Sequence, residues 1–355
     1  MTRGHGRATP GDAPDEQRTM RVRWRHSFSS VDAHGAGQPL RLITFGVPRL
    51  RATTIREQVA EMRDRFDDIR LWLLTEPRGH AGLTGAILVP SADPEVDYGV
   101  IFMSASGYST MSGHGMIAVT TALIETGTVP IEGPETRVTF DTPAGRIQAR
   151  ATIDQGRVRN VRFRNVPAFR LRKDLEIDLD GRALRVDVAF GGAWFAIARA
   201  EDLDVALTPA KSPHLTRLGV EIMRATSNAL DVVHPTDPDL AGIFGTVILG
   251  APHADDSTSR NVTVYGDGLV ERSPCGTGMS ATMACLAADG QLAVGDAFVS
   301  ESIIDTVLTG RIVVSTTIGD YPGIITEIAG RGAVTGMHSF VVDSSDALRS
   351  GYVLL

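Results

Sequence analysis

The sequence predicts the α+β class, with two pseudo-symmetric domains that each wrap strands around a central buried helix. Three observations carry this expectation. Apolar runs rich in Val, Ile and Leu recur between turn residues, the pattern of many short strands. Two segments about half the chain apart, SGHGMIAVTTALIETG at 112–127 and CGTGMSATMACLAADG at 275–290, share length and pattern. Such self-similarity points to duplication. The chain has 355 residues, long for one ordinary core and suited to two domains.

The elements follow in chain order. Residues 1–20 are polar and rich in Gly, Pro and charge, and lack the apolar core of a secretory signal. They read as a disordered tail. Strands are expected at 41–47, 69–75, 83–90 and 98–103. A helix is expected at 55–66, where Val59, Met62 and Phe66 recur at helical spacing. A strand-rich stretch covers 137–164. Further strands are expected at 184–189, 195–198, 246–249, 261–265, 311–318 and 324–328, with a helix at 215–230. The two repeated segments are apolar nearly all round and close on Gly127 and Gly290, so they read as buried helices. The expected domains span 21–168, completed by the C-terminal segment 331–355, and 169–330.

Composition narrows the function. The net charge of −7 gives no basic footprint for nucleic acid or an anionic membrane. No run approaches the roughly 20 apolar residues of a membrane helix. The two cysteines, Cys275 and Cys285, form neither a CxxC pair nor a disulfide framework, and metal-ligand spacing is absent. A reducing cytoplasm is the expected location, and no metal is expected. Cys285 lies deeper in the same helix and reads as core.

The helix starts carry the chemistry. A helix N-terminus presents unpaired N–H groups and a partial positive charge. Glycines beside it let a ligand approach the backbone. Gly113, His114 and Gly115, and likewise Gly276, Thr277 and Gly278, can therefore cradle a carboxylate. Two such starts facing one cleft place Ser112 and Cys275 on opposite sides of the ligand. Removing Cα–H from an amino acid drives negative charge onto its carboxylate, so these donors favour the transition state. The helix dipole is expected to lower the Cys275 pKa and make it the base. Ser112 is a poor base without a partner, but it can donate a proton.

These residues resemble a known family. ERSPCGTG at 271–278 resembles the second signature of the proline racemase superfamily, and MSGHG at 111–115 resembles the first, where racemases and 4-hydroxyproline epimerases usually carry Cys at the Ser112 position. VDAHGAGQPLR at 31–41, EPRG at 76–79, FGG at 190–192, ESII at 301–304 and TGR at 309–311 are further matches, so the resemblance runs from about Arg25 to the C-terminus. It implies the diaminopimelate-epimerase-like fold and chemistry on proline-type amino acids without pyridoxal phosphate or another cofactor. It places the two catalytic positions on Ser112 and Cys275, and the carboxylate-binding amides on Gly113, His114, Gly276, Thr277 and Gly278. A homodimer is the family-level expectation. The Ser/Cys pairing is similar to a branch that includes trans-3-hydroxy-L-proline dehydratases, some with 2-epimerase activity. In the trans-3-hydroxy-L isomer the hydroxyl and the α-hydrogen share a ring face. One thiolate there serves both proton removal and protonation of the departing hydroxyl.

The sequence departs from the family pattern in places. Glu271 stands where Asp usually helps hold the substrate amine. Trp194 follows the FGG run where a smaller residue is expected, and reads either as a pocket residue or as core. His114 reads as a hydrogen-bond partner of the substrate. Asp32 and His34 read as structural strand-end residues; His234 is open between structure and site. The reading taken forward is dehydration of trans-3-hydroxy-L-proline, the alternative being 2-epimerisation or racemisation of proline or a hydroxyproline. Two other classes are a cysteine hydrolase, which needs a His beside the thiol, and a silent amino-acid-binding protein.

Overall fold

The computed structural model describes Met1 and residues 26–353. The expected tail at 1–20 lies outside the described residues, apart from Met1. The helices are α1 (Ile55–Arg65), α2 (Asp67–Leu74), α3 (Gly113–Glu125), α4 (Ala200–Leu203), α5 (Ser212–Ala229) and α6 (Gly276–Ala288). Strands make up most of the rest, so the α+β class holds.

In the N-terminal half, His26–Gly35 pairs antiparallel with Gln38–Phe45, which runs parallel to Thr84–Val89 across α1 and α2. Thr84–Val89 pairs antiparallel with Tyr98–Ser104, which runs parallel to Glu135–Thr142 across α3. Gly145–Asp154 and Arg157–Arg164 then follow antiparallel. Each parallel step needs a crossover, and the helices supply it.

The C-terminal half goes through the same kinds of pairing. Arg182–Phe190 is antiparallel to Trp194–Arg199, itself parallel to Gly245–Gly250 across α4 and α5. Ser259–Tyr265 follows antiparallel and runs parallel to Ala297–Glu301 across α6. Val307–Ile318 and Tyr321–Gly330 complete the run antiparallel. Ala168–Leu179 joins Tyr321–Gly330 to Arg182–Phe190 and closes these strands into a ring. Tyr321–Gly330 also pairs with Arg157–Arg164, which ties the halves together. The last strand, Gly332–Val342, returns to pair with His26–Gly35.

The strands enclose α3 and α6, whose apolar sequences match that environment. In α3 every residue from Gly113 to Ile124 is buried; in α6 every residue from Gly276 to Cys285 is. The expected strand at 69–75 is a helix instead, α2. Its run IRLWLL is short, and periodicity alone does not separate a short buried strand from a helix. Asp67 and Asp68 in its first turn favour the helix dipole, and Ile69, Leu73 and Leu74 form one buried face. The first helix appears as expected, started by a capping box between Thr54 and Glu57. The strands His26–Gly35, Ala168–Leu179, Ala297–Glu301 and Gly332–Val342 lay outside the list of expected strands.

Candidate active site

Ser112 and Cys275 are the N-cap residues of α3 and α6. Ser112 is extended (φ −142°, ψ 113°), and its Oγ accepts the Gly115 N–H at 3.2 Å. Cys275 sits at φ 56°, ψ 92°, and its Sγ accepts the Gly278 N–H at 3.3 Å. A non-glycine residue at positive φ carries strain of about 1–3 kcal/mol, a feature that concentrates at functional sites.

The two helix starts meet head to head. A Cβ added to Gly113 would lie 2.7 Å from the Gly276 Cα, so only glycine allows this approach. Gly191, in the FGG run, is pressed as closely against the first turn of α6: a Cβ there would lie 2.2 Å from the Thr277 carbonyl oxygen.

Between the helix starts is a cavity of about 250 Å³. Ser112 and Cys275 line it, with Gly113, His114, Gly276, Thr277 and Glu271. Gly115 and Gly278 do not. They lie one turn inside their helices, where their N–H groups are committed to the Ser112 and Cys275 caps. The cavity wall also includes Thr84, Phe102, Phe244, Tyr265 and Asp267. Sequence reasoning missed these. They come from four separate segments, and no local motif marks any of them. A larger cavity of about 1250 Å³ opens near the other end of α6, around Cys285 and Asp289, and holds none of the signature residues.

Glu271 is the electrostatic centre of the site. Its side chain is fully buried. Oε1 accepts from His114 Nδ1 at 2.9 Å and from the Ser273 hydroxyl; Oε2 accepts from the Tyr265 phenol. Burial works against its charge, but these partners outweigh burial and hold its pKa below the ordinary value. The extra methylene of Glu over Asp thus ends in a carboxylate engaged by three side chains of the protein. The Tyr265 phenol is pushed well above its ordinary pKa by burial and by the Glu271 charge.

The expected depression of the Cys275 pKa is not what the site produces. Burial, and then the nearby Glu271 carboxylate, push the thiol well above its ordinary value; Thr277 and the Gly278 amide oppose this and are outweighed. The helix start alone did not reveal how dry its surroundings are.

The other singled-out residues lie off this cavity. Trp194 is 2% exposed, and its Nε1 donates to the Leu240 carbonyl at 3.0 Å. It packs edge-on to Phe169, Phe190 and His234. Both Trp194 and His234 are therefore core residues. Asp32 accepts three hydrogen bonds from Arg41, which also donates to the Leu73 and Arg78 carbonyls. His34 accepts the Gly37 N–H within its own turn. Glu301, from the ESII run, accepts the His253 and Ala254 amides and pairs with buried Arg260. Cys285 is buried, as expected. Among the described residues no group of three His, Cys, Asp or Glu side chains is placed to hold a metal, and no helix is long and apolar enough to cross a membrane.

Residues 30–353 match the family model described as proline racemase. A protein named trans-3-hydroxy-L-proline dehydratase from Bacillus cereus is 39% identical over 327 residues, covering 92% of this chain and 98% of its own. A proline racemase from Clostridioides difficile is 36% identical over 334 residues, covering 94% and 100%. Among solved structures, a hydroxyproline epimerase from Agrobacterium vitis with bound trans-4-OH-L-proline matches with a TM-score of 0.88 at 31% identity, over 94% of this chain and 96% of that one.

Proposed function

The chain belongs to the proline racemase family, and within it we propose that Cys275 removes the α-proton of a proline-type amino acid and that the reaction is dehydration of trans-3-hydroxy-L-proline to a pyrroline-2-carboxylate. The observation that carries this reading is the asymmetric pair of N-caps, one thiol and one hydroxyl, at two helix starts that share a single small cavity. The substrate carboxylate lies against the amides of Gly113, His114, Gly276 and Thr277, where charge developing in the transition state is stabilised. Cys275 takes the α-proton and returns it to the 3-hydroxyl leaving from the same ring face. The Bacillus cereus relative named for this activity supports the substrate class.

The second reading is 2-epimerisation of a 3- or 4-hydroxyproline or proline, favoured by the likeness to the epimerase holding trans-4-OH-L-proline. We also propose that 21–168 with 331–355, and 169–330, are pseudo-symmetric domains of a diaminopimelate-epimerase-like fold. The matching order of strand pairings supports this, as does the return of Gly332–Val342 to the N-terminal half.

The test is purified enzyme with a panel of proline and hydroxyproline isomers, followed by NMR in D₂O. Pyrroline product from trans-3-hydroxy-L-proline, abolished in Cys275→Ala, supports the reading. Epimerisation of another substrate with no pyrroline from this one sinks it.

A further inference from the structure

We infer that Gln38 is a positioning residue: from the N-terminal half, its buried amide holds the loop that carries Glu271 and Cys275 in place across the cavity. The inference rests on the reading of Cys275 as the base.

Gln38 opens the strand Gln38–Phe45 and is 0% exposed. A buried amide needs a partner at each end, or it destabilises the fold. Its Oε1 accepts the Arg272 N–H at 2.8 Å, and its Nε2 donates to the Gly82 carbonyl at 2.8 Å. One partner can only donate and the other can only accept, so the direction of the amide is fixed without reference to any titrating group. Gly82 belongs to the N-terminal half and Arg272 to the C-terminal half, 234 positions after Gln38.

Both ends of this tie lead to the cavity. Residues 271–275 fold into a compact loop. The Glu271 N–H donates to the Thr263 carbonyl, the Ser273 hydroxyl donates to Glu271 Oε1, and the Cys275 N–H donates to Ser273 Oγ at 3.2 Å. The Arg272 N–H points out of this loop and finds its acceptor on Gln38. The Arg272 guanidinium lies over Gly82, where a Cβ would stand 2.4 Å from Nη1. On the other side, Pro39 follows Gln38, and its carbonyl accepts from Thr84 Oγ1 at 2.7 Å; Thr84 is in the cavity wall. Gly35 is pressed against the first turn of α3, where a Cβ would lie 2.2 Å from the His114 carbonyl oxygen. Residues 35–39 thus touch the start of α3 at one end and hold the Cys275 loop at the other.

The tie matters because Cys275 sits at φ 56°. A non-glycine residue keeps such a conformation only where its surroundings over-determine it. Gln38 supplies one of these restraints from outside the loop. Without it the Arg272 N–H turns to find another acceptor, and the backbone between Glu271 and Cys275 turns with it. The thiol then moves relative to the α-hydrogen. The amides of Gly113, His114, Gly276 and Thr277 stay in place, so binding is kept while the geometry of proton removal is lost.

The experiment uses purified full-length protein and whichever members of the proline and hydroxyproline panel the wild type turns over. Gln38→Met has a similar length and makes neither bond. It is expected to lower kcat by about 10-fold to 100-fold, the scale of a misplacement near 1 Å. KM should stay within about 3-fold, since uniform binding is untouched. Trp194→Phe, a core change away from the cavity, is the control for simple destabilisation and should leave both constants near wild type. Amide hydrogen exchange gives a second readout. The Arg272 N–H should be protected in the wild type and exchange faster in Gln38→Met, with the interior amides of α6 unchanged. If Gln38→Met does not fold, Gln38→Asn, which keeps the amide but reaches one methylene less far, takes its place with the same expectations. An unprotected Arg272 amide in the wild type, or a kcat loss no larger than that of Trp194→Phe, overturns the inference. Turnover of another substrate with no pyrroline from trans-3-hydroxy-L-proline sinks the dehydratase reading and leaves this inference standing. A protein that removes the α-proton of no panel member overturns both.

Discussion

Gly113→Ala is the sharpest test of the head-to-head helix starts. The added Cβ would stand 2.7 Å from the Gly276 Cα and 3.1 Å from its nitrogen. Real Cβ contacts rarely come closer than 3.4 Å, so the two helix starts must separate by about 0.7 Å. The opposing atoms are backbone, and no rotamer change relieves the clash. Overpacking of this kind costs about 1–3 kcal/mol, little enough for the fold to survive. The site is more sensitive: a displacement near 1 Å between reacting groups costs about 100-fold in rate. The expected result is a protein with native circular dichroism, a modestly lowered urea midpoint and a kcat reduced by about 30-fold to 100-fold on trans-3-hydroxy-L-proline. Full activity in a folded Gly113→Ala protein would refute the idea that contact between the helix starts sets the distance between Ser112 and Cys275.

Further expectations concern stability. Trp194→Phe removes the donor to the buried Leu240 carbonyl and should lower unfolding free energy by about 1–3 kcal/mol, read as a shift in urea midpoint at constant m. Because Trp194 is off the cavity, KM should stay within about 2-fold of wild type. Glu301 is held at a pKa of about 2: burial opposes its charge, and the His253 and Ala254 amides with the Arg260 guanidinium outweigh it. Its folded pKa lies below its ordinary 4.5, so its contribution is present above that pH and is lost as pH falls towards 2. Glu301→Gln should therefore flatten the acid limb of the stability curve in that window. An unchanged limb would count against this ion pair as a source of acid lability.

What the sequence revealed depended on whether the signal was local. The buried helices were legible because α3 and α6 are apolar on every face and start on a shared Gly-x-Gly-Met pattern. Most strands were legible because their Val, Ile and Leu runs end at turn residues. Gly332–Val342 was not: it carries Thr, Met and His among its apolar residues and faces solvent along most of its length. The IRLWLL run was misread because six residues satisfy either period. In the site, Ser112 and Cys275 were legible because each is the first residue of a repeated motif. Tyr265 and Thr84 were not, because their roles exist only through Glu271 and His114, which lie 157 residues apart.

The same non-local chemistry reversed the expectation for the thiol, and that reversal has a testable consequence. Two groups near Cys275 favour the thiolate, the Gly278 amide at 3.3 Å and Thr277 Oγ1 at 3.5 Å. Burial and the Glu271 charge outweigh them, so the unliganded site holds a neutral thiol. A proline-type ligand changes the balance by bringing an ammonium group into a 250 Å³ cavity whose wall includes both Cys275 and Glu271. A positive charge within about 4–6 Å favours the thiolate, while the ligand's carboxylate is neutralised against the helix-start amides. On the proposed role of Cys275, the base would be formed by the molecule it acts on, and the resting neutral thiol should resist oxidation. Ultraviolet thiolate absorbance at neutral pH, taken as the difference between wild type and Cys275→Ala, should be absent in free protein and should rise on adding L-proline. Cyclopentanecarboxylate, which has the ring and carboxylate but no amine, should bind without raising it. A thiolate signal in the free protein, or an equal rise with both ligands, would show that the helix start alone activates Cys275.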